Sequence, residues 1–296
     1  MCYNRRMNRN RTCKITAAAL LLALTAAGEA RAAQCGNGAG GFDGWKQSFA
    51  SEARAKGVGA AGFEGWKPAF AAEARAKGVG AAGIAALMST NYATATIAAD
   101  RGMKSFRLSL DQFLVKRGAA TIVARGRVLK QTHAALFASI EQRYGVPPGP
   151  LLAIWGMETA FGTQRGNQNM LSAVATLAYD CRRSEYFTDQ LYAALSLVER
   201  GVLSAATRGS MHGEYGQTQF MPKNILAYGT GNLDSAQGAL TSTANFLKGH
   251  GWKAGAGYQQ GQPNFAAIEG WNAATVYQQA IAQMGRQIDG GGSAQR

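Results

Sequence analysis

Apolar residues recur every three or four positions along most of this sequence, which is the spacing of one face of an α-helix. Residues 91–126 give no clear prediction, because residues 112–115 have strand character while the apolar residues of 106–114 also fit a helix. Residues 207–221 are rich in glycine and polar residues and predict irregular or short β structure. We therefore expect a mainly α fold in which a small irregular or β lobe accompanies a multi-helix domain. The helices predicted with the clearest bounds cover residues 125–143, 169–179, 184–200, 222–228, 234–248 and 272–288.

One further predicted helix carries a single carboxyl group on an apolar stripe. Three prolines between residues 147 and 150 predict the start of this helix, and Gly162 predicts its end. Because burial disfavours the charged form of a carboxyl group, Glu158 must find a partner or keep its proton near neutral pH. A protonated acid is what a general acid of the glycosidase type requires. The spacing leaves open the alternative of a helix-end glutamate turned toward water. The stripe consists of Leu151, Ile154, Trp155 and Glu158, and the prolines are Pro147, Pro148 and Pro150.

Residues 1–32 have the pattern of a secretory signal peptide. Five basic residues lie within the first 14, residues 15–27 are almost wholly apolar, and residues 30–32 fit a small-x-small cleavage site. The apolar run is too short to settle across a bilayer, so no stable membrane insertion is expected after cleavage. An uncleaved anchor is the alternative. The pattern predicts an exported, periplasmic protein.

Composition narrows the class of protein further. The chain has 296 residues, of which 47% are hydrophobic and 16% charged, and one large domain is favoured over two. The formal net charge is +14, and the chain stays basic without its first 32 residues. Attraction to an anionic polymer is one consequence of that charge, and export argues against nucleic acid as the polymer. Beyond the leader, Cys35 and Cys181 are candidates for one disulfide in an oxidising compartment.

A tandem repeat follows the leader. Residues 41–61 read GFDGWKQSFASEARAKGVGAA and residues 62–82 read GFEGWKPAFAAEARAKGVGAA, so each copy predicts one amphipathic helix. Two copies are too few for a solenoid, and we interpret them as a local duplication with one copy packed on the core. The expected organisation is an N-terminal extension with the first copy over residues 33–61, a domain over residues 62–289, and a disordered tail over residues 290–296.

Three distant segments are unusually polar for their apolar surroundings. They are Glu158-Thr-Ala-Phe-Gly, the glycine-rich loop of residues 208–222 with its Gly-Gln-Thr-Gln-Phe-Met-Pro end, and Trp271-Asn-Ala-Ala-Thr-Val-Tyr277. With the Tyr144-Gly-Val-Pro-Pro opening, they resemble the lytic murein transglycosylase family, specifically the branch of membrane-bound lytic transglycosylase B. The motifs occur in the family's order over residues 63–284, and their combination is more specific than any one of them.

The resemblance implies a lysozyme-like fold and cleavage of peptidoglycan strands between N-acetylmuramic acid and N-acetylglucosamine without water. It implies that Glu158 is the single catalytic acid and base, that the partner is the peptidoglycan glycan strand, and that no cofactor is needed. The Asp-rich calcium loop of better-known relatives is absent from residues 229–235, so no bound metal is expected. The substrate-binding residues implied by the motifs are Tyr186, Ser210, Gln219, Asn272 and Tyr277.

Two departures and two alternatives accompany the resemblance. Phe246 and Trp271 occupy positions where the family motifs have tyrosines. Phe246 therefore lacks the hydroxyl that the motif would bring to the cleft. Glu214 is the carboxylate that a second catalytic role would use, although a structural hydrogen bond in its loop is the simpler interpretation. A hydrolase of the lysozyme type would need such a second group. A wall-binding protein without activity is the alternative from another class.

Overall fold

The computed structural model describes residues 36–55, 80–102, 108–180 and 182–291. These residues fold mainly into helices, with one two-stranded antiparallel sheet in which Gln168 pairs with Gly209 and Asn169 with Arg208. The helices are α1 (Phe42–Ala55), α2 (Ala81–Met88), α3 (Thr94–Gly102), α4 (Leu110–Arg117), α5 (Ala119–Thr132), α6 (Ala134–Tyr144), α7 (Pro148–Thr159), α8 (Met170–Tyr179), α9 (Ser184–Glu199), α10 (Pro222–Tyr228), α11 (Ala236–Gly249), α12 (Phe265–Trp271) and α13 (Thr275–Asp289). The strands are β1 (Gln168–Asn169) and β2 (Arg208–Gly209).

Helix α7 lies at the centre of the larger hydrophobic cluster and packs against α5, α11 and α13. It begins at Pro148, whose missing N–H is harmless in the first turn of a helix. Residues 149–157 are all buried, which accounts for the apolar run in the sequence. Close approach to α13 depends on Gly149, because a Cβ there would collide with the carbonyl oxygen of Gly285.

Several predicted boundaries are wrong, and local interactions explain the differences. The helix predicted over residues 125–143 is two helices, because the backbone leaves the helical conformation at His133. Helix α9 begins at Ser184 as predicted, and the Ser184 hydroxyl donates to the carbonyl oxygen of Ala178 at 2.6 Å. Ser235, rather than Asp234, caps α11 by accepting from the backbone N–H of Gly238. The pattern also missed α12, whose last turn precedes Asn272.

Some expectations lie outside the described residues. They are the signal peptide over residues 1–32, the pairing of Cys35 with Cys181, residues 56–79 with most of the second repeat, and residues 292–296 of the tail. Within the described ranges, every helix is either too short or too polar to cross a bilayer.

Candidate active site

A groove of about 940 Å³ runs along one side of the domain, and Glu158 lies in its wall. The loop of residues 208–222, the start of α9 and the segment between α12 and α13 form its other walls. Five of the six predicted site residues line this groove, and the sixth, Ser210, lies behind it. The groove-lining members of the predicted set are Glu158, Tyr186, Gln219, Asn272 and Tyr277.

Glu158 sits one residue before the end of α7, where its side chain leaves the core and meets two hydrogen-bond donors. The Tyr277 hydroxyl donates to Glu158 Oε1 at 2.6 Å, and the Trp271 indole N–H donates to the same oxygen at 3.0 Å. Both donors come from the segment at α12 and α13, more than one hundred residues away. Glu158 is only partly exposed, so it is a groove residue and not a solvated helix end.

The surroundings raise the pKa of Glu158 from its ordinary value of 4.5 to about 7. Burial is the largest cause, because a buried carboxylate loses hydration. The negative charge of Glu214 raises the pKa further, while the hydrogen bonds from Tyr277 and Trp271 and the charge of Arg117 lower it. The Glu158 carboxyl group can therefore carry a proton near neutral pH and can also release it, as an acid that later acts as a base requires.

The glycine-rich loop is fastened to the end of α7 by the threonine that follows Glu158. The Thr159 hydroxyl donates to the carbonyl oxygen of Gln217 at 2.5 Å and accepts from the backbone N–H of Gly162 at 2.9 Å. Gln217 also accepts from the Trp155 indole at 3.0 Å. A Cβ at Gly162 would collide with the Gln217 side chain, and its φ of +84° favours glycine. The Glu-Thr-x-x-Gly motif thus positions the loop beside the carboxyl group.

Gln219 reaches the groove from a strained turn. Tyr215 and Phe220 pair as an antiparallel bridge, and the turn between them places Gln219 at a φ of +55°. The Gln219 side-chain nitrogen donates to the carbonyl oxygen of Gly216 at 2.8 Å, which holds the turn. A non-glycine residue in this left-handed region costs on the order of 1 kcal/mol, and such strain is often found at functional sites.

Ser210 supports the groove from behind through Glu214. Its hydroxyl donates to Glu214 Oε2 at 2.7 Å and accepts from the backbone N–H groups of His212 and Glu214, both at 3.1 Å. Glu214 itself lines the groove. Glu214 thus makes a structural hydrogen bond within its own loop. His212 is partly buried, and its Nε2 atom lies 4.0 Å from Asp100 Oδ1.

Three aromatic rings build the wall behind Glu158. Trp271 packs edge-on against Phe220 and Phe246, with ring centroids 5.4 and 5.1 Å apart. Phe246 also stacks on His250 at 3.9 Å. Phe246 thus brings an apolar ring to the groove at the position where the motif suggested a tyrosine hydroxyl.

Sequence reasoning missed two features of this site. Arg117 lines the groove and lies over the ring of Tyr277 at 5.7 Å, yet it comes from a segment whose structure the pattern left open. The sequence showed Trp271 only as a tryptophan where the motif has a tyrosine. The hydrogen bond that its indole N–H donates to Glu158 is evident only in the tertiary structure. Among the described residues, no group of three or more His, Cys, Asp or Glu side chains is placed to hold a metal ion.

Comparison with known proteins identifies the family. The model of a family described as the transglycosylase SLT domain matches residues 62–262. The chain belongs to this family. This confirms the family resemblance found in the sequence motifs.

A curated relative agrees with that assignment. This SLT-domain protein is 37% identical over 123 residues to the membrane-bound lytic murein transglycosylase B of Escherichia coli (strain K12). That match covers 38% of the chain and 34% of the relative, so it spans about a third of the relative's length.

Solved structures with the same fold include SltB3 from Pseudomonas aeruginosa in complex with NAG-NAM-pentapeptide, with a TM-score of 0.71 and 25% identity over 86% of this chain and 82% of that one. The Escherichia coli lytic transglycosylase Slt35 in complex with bulgecin A has a TM-score of 0.65 and 21% identity over 82% of this chain and 92% of that one. The predicted fold class, a mainly α lysozyme-like domain, is thereby confirmed.

Proposed function

We propose that this protein is a peptidoglycan lytic transglycosylase that cleaves the β-1,4 bond between N-acetylmuramic acid and N-acetylglucosamine without water. The observation that carries the proposal is the placement of Glu158, a carboxyl group with a raised pKa in the wall of a groove of about 940 Å³. Membership of the SLT domain family and the likeness to SltB3, which was solved with a peptidoglycan fragment, support the choice of substrate.

In the proposed reaction, protonated Glu158 gives its proton to the glycosidic oxygen as the bond from that oxygen to the muramic C1 atom breaks. The resulting carboxylate then accepts the proton of the muramic C6 hydroxyl, whose oxygen bonds to C1 and closes a 1,6-anhydro ring. One carboxyl group therefore serves both steps, and its starting protonation state is restored. No second carboxylate is required, because an internal hydroxyl replaces the water that glycosidases activate.

The other predicted residues have proposed roles that fit their positions. Tyr186, Gln219 and Asn272 would contact sugar and N-acetyl groups along the groove, and Ser210 would act through Glu214. For Tyr277, which is buried, we propose a role as the donor that orients Glu158 in addition to closing the far wall. A periplasmic location follows from the signal peptide predicted over residues 1–32 and suits a peptidoglycan substrate.

Digestion of purified sacculi tests the proposal, with products analysed by mass spectrometry. A lytic transglycosylase should release muropeptides with 1,6-anhydromuramic ends, each lighter by one water than the product of a lysozyme-type hydrolase. Products with reducing muramic ends would replace the proposal by the hydrolase alternative. The absence of soluble products from a correctly folded protein would favour the wall-binding alternative.

The pH dependence of the same reaction should follow the Glu158 carboxyl group. Because this group must start protonated, kcat/KM should decline as the pH rises through about 7. Tyr277→Phe removes a hydrogen bond that lowers the Glu158 pKa, so the decline should move to higher pH. Glu214→Gln removes a charge that raises it, so the decline should move to lower pH. For Tyr277→Phe we expect a shift of roughly one to two pH units, because a hydrogen bond to a charged group contributes about 1.5–3 kcal/mol.

Tyr215→Phe is the matched control for these profiles, since the Tyr215 hydroxyl donates to Asp234 and not to Glu158. Its profile should keep the wild-type midpoint. Identical midpoints in all four proteins would show that Glu158 does not set the pH dependence.

A further inference from the structure

Helix α1 packs its aromatic stripe into a receiving groove formed by α2, α8 and α9. The ring centroid of Tyr179 lies 5.6 Å from Phe42 and 5.4 Å from Trp45, and Phe49 lies 5.1 Å from Tyr192. All three α1 rings are at most 5% exposed. This receiving groove, which lies outside the candidate active site, therefore recognises an amphipathic helix with aromatic residues at positions i, i+3 and i+7.

A buried lysine adds polar specificity to this packing. Lys46 Nζ donates to the carbonyl oxygens of Thr90 at 2.7 Å and Met88 at 3.2 Å, and it pairs with Asp43 at 2.9 Å. The two carbonyl groups belong to the end of α2 and the turn after it. Because a buried carbonyl group without a donor is costly, a helix with a lysine at this position fits the receiving groove better than one without.

The second repeat copy keeps every feature that the receiving groove contacts. Comparison of residues 42–51 with residues 63–72 shows identity at each position that is buried in α1. The four differences between the copies all fall at exposed positions of α1. Within residues 42–51 of α1 the buried residues are Phe42, Trp45, Lys46, Phe49 and Ala50, and their counterparts in the second copy are Phe63, Trp66, Lys67, Phe70 and Ala71.

We propose that both copies of the repeat compete for this one receiving groove. The family model begins at residue 62, so the family's sequence pattern includes the second copy, whereas the structure fills the receiving groove with the first. A helix over residues 63–76 would leave residues 77–80 to connect it to α2, and α1 already packs beside α2. Four residues are an ordinary length for a helix–helix connection. The inference is independent of the proposed activity.

One exposed difference explains why the first copy holds the receiving groove. Gln47 lies inside α1, and its counterpart is Pro68. Proline in a helix interior removes a backbone hydrogen bond and clashes with the preceding turn. A helix that began at Pro68 would avoid the clash but would lose the turn that carries Phe63 and Trp66. The proline should favour the first copy by on the order of 100-fold.

Exchanging these two residues tests the proposal in the full-length chain. Gln47→Pro with Pro68→Gln leaves unchanged the residues that are buried in α1 and their counterparts in the second copy, so the variant should fold. Hydrogen–deuterium exchange with mass spectrometry distinguishes the copies, because their peptides differ in mass. In the wild type, amides of residues 42–51 should exchange at least 10-fold more slowly than those of residues 63–72. In the exchanged variant this ratio should invert.

Alanine substitutions give a second measurement. Trp45→Ala alone should cost no more than the roughly 100-fold preference for the first copy, about 2.8 kcal/mol, because the second copy takes over. Trp66→Ala alone should leave the Tm unchanged. The double variant should lower the Tm by more than the sum of the two single changes. An inverted exchange ratio in a dimer would also support the proposal, through docking on a neighbouring chain. Unchanged protection of residues 42–51 in the exchanged variant, or a Trp45→Ala loss equal to that of the double variant, would overturn it.

Discussion

Glu158→Gln is expected to reduce turnover of peptidoglycan by roughly 10²–10⁴-fold, which is the usual contribution of general acid and base catalysis. The amide side chain would have the same shape as the carboxyl group, and its oxygen would still accept hydrogen bonds from Trp271 and Tyr277. It has no proton to give to the glycosidic oxygen, and it cannot take one from the C6 hydroxyl. The measurement is the rate of release of soluble muropeptides from sacculi at a pH below 7.

Folding and wall binding provide the controls for this variant. The raised pKa means that the wild-type protein gains stability from protonated Glu158 at low pH and loses it as the pH rises from 4.5 through about 7. The neutral amide avoids this loss, so Glu158→Gln should be at least as stable as the wild type at pH 8. Sedimentation with sacculi should show unchanged binding. Turnover at the wild-type rate would remove Glu158 from the mechanism.

Phe220→Ala should lower the free energy of unfolding by roughly 3–5 kcal/mol. Phe220 is 2% exposed and packs edge-on against Trp271 and Phe246. Its removal leaves a cavity behind the ring that donates to Glu158, and the bridge that it forms with Tyr215 loses its apolar anchor. Thermal unfolding should show a fall in Tm of roughly 10 °C for a chain of this size.

Phe220→Leu separates lost volume from lost geometry. Leucine fills most of the same space, so its cost in the free energy of unfolding should be clearly smaller than that of alanine. If Trp271 depends on Phe220 for its position, the alanine variant should also lose kcat at temperatures where it is still folded. Equal Tm values for the alanine variant and the wild type would contradict the packing described here.

The sequence was informative where a signal is local. The proline-rich start and apolar stripe of α7 predicted a helix with one unusual carboxyl group, and the structure contains that helix over Pro148–Thr159. Glycine-rich composition correctly indicated the irregular loop before Pro222. Boundaries were less accurate, as at His133, because a single residue that leaves the helical conformation does not interrupt apolar spacing.

Non-local contacts had no such signal. Nothing in the spacing of residues 271–277 indicates that Trp271 and Tyr277 donate to the same oxygen of Glu158, or that Thr159 binds the carbonyl of Gln217. The motif resemblance grouped these segments by function and implied substrate binding by Tyr277 and Ser210, but it did not indicate which groups they contact. In the structure, Tyr277 is buried beside Glu158, and Ser210 lies behind Glu214.

By itself, then, the sequence determined the helical character of the chain and the presence of an acid on an apolar stripe, because both depend on neighbours within a few turns. Tertiary structure alone decided the protonation of that acid. The pKa of Glu158 depends on burial, on the charge of Glu214 and on two donors from another part of the chain. The distance between the Tyr277 hydroxyl and Glu158, for example, is set by the packing of α7 against α13, which no local sequence pattern encodes.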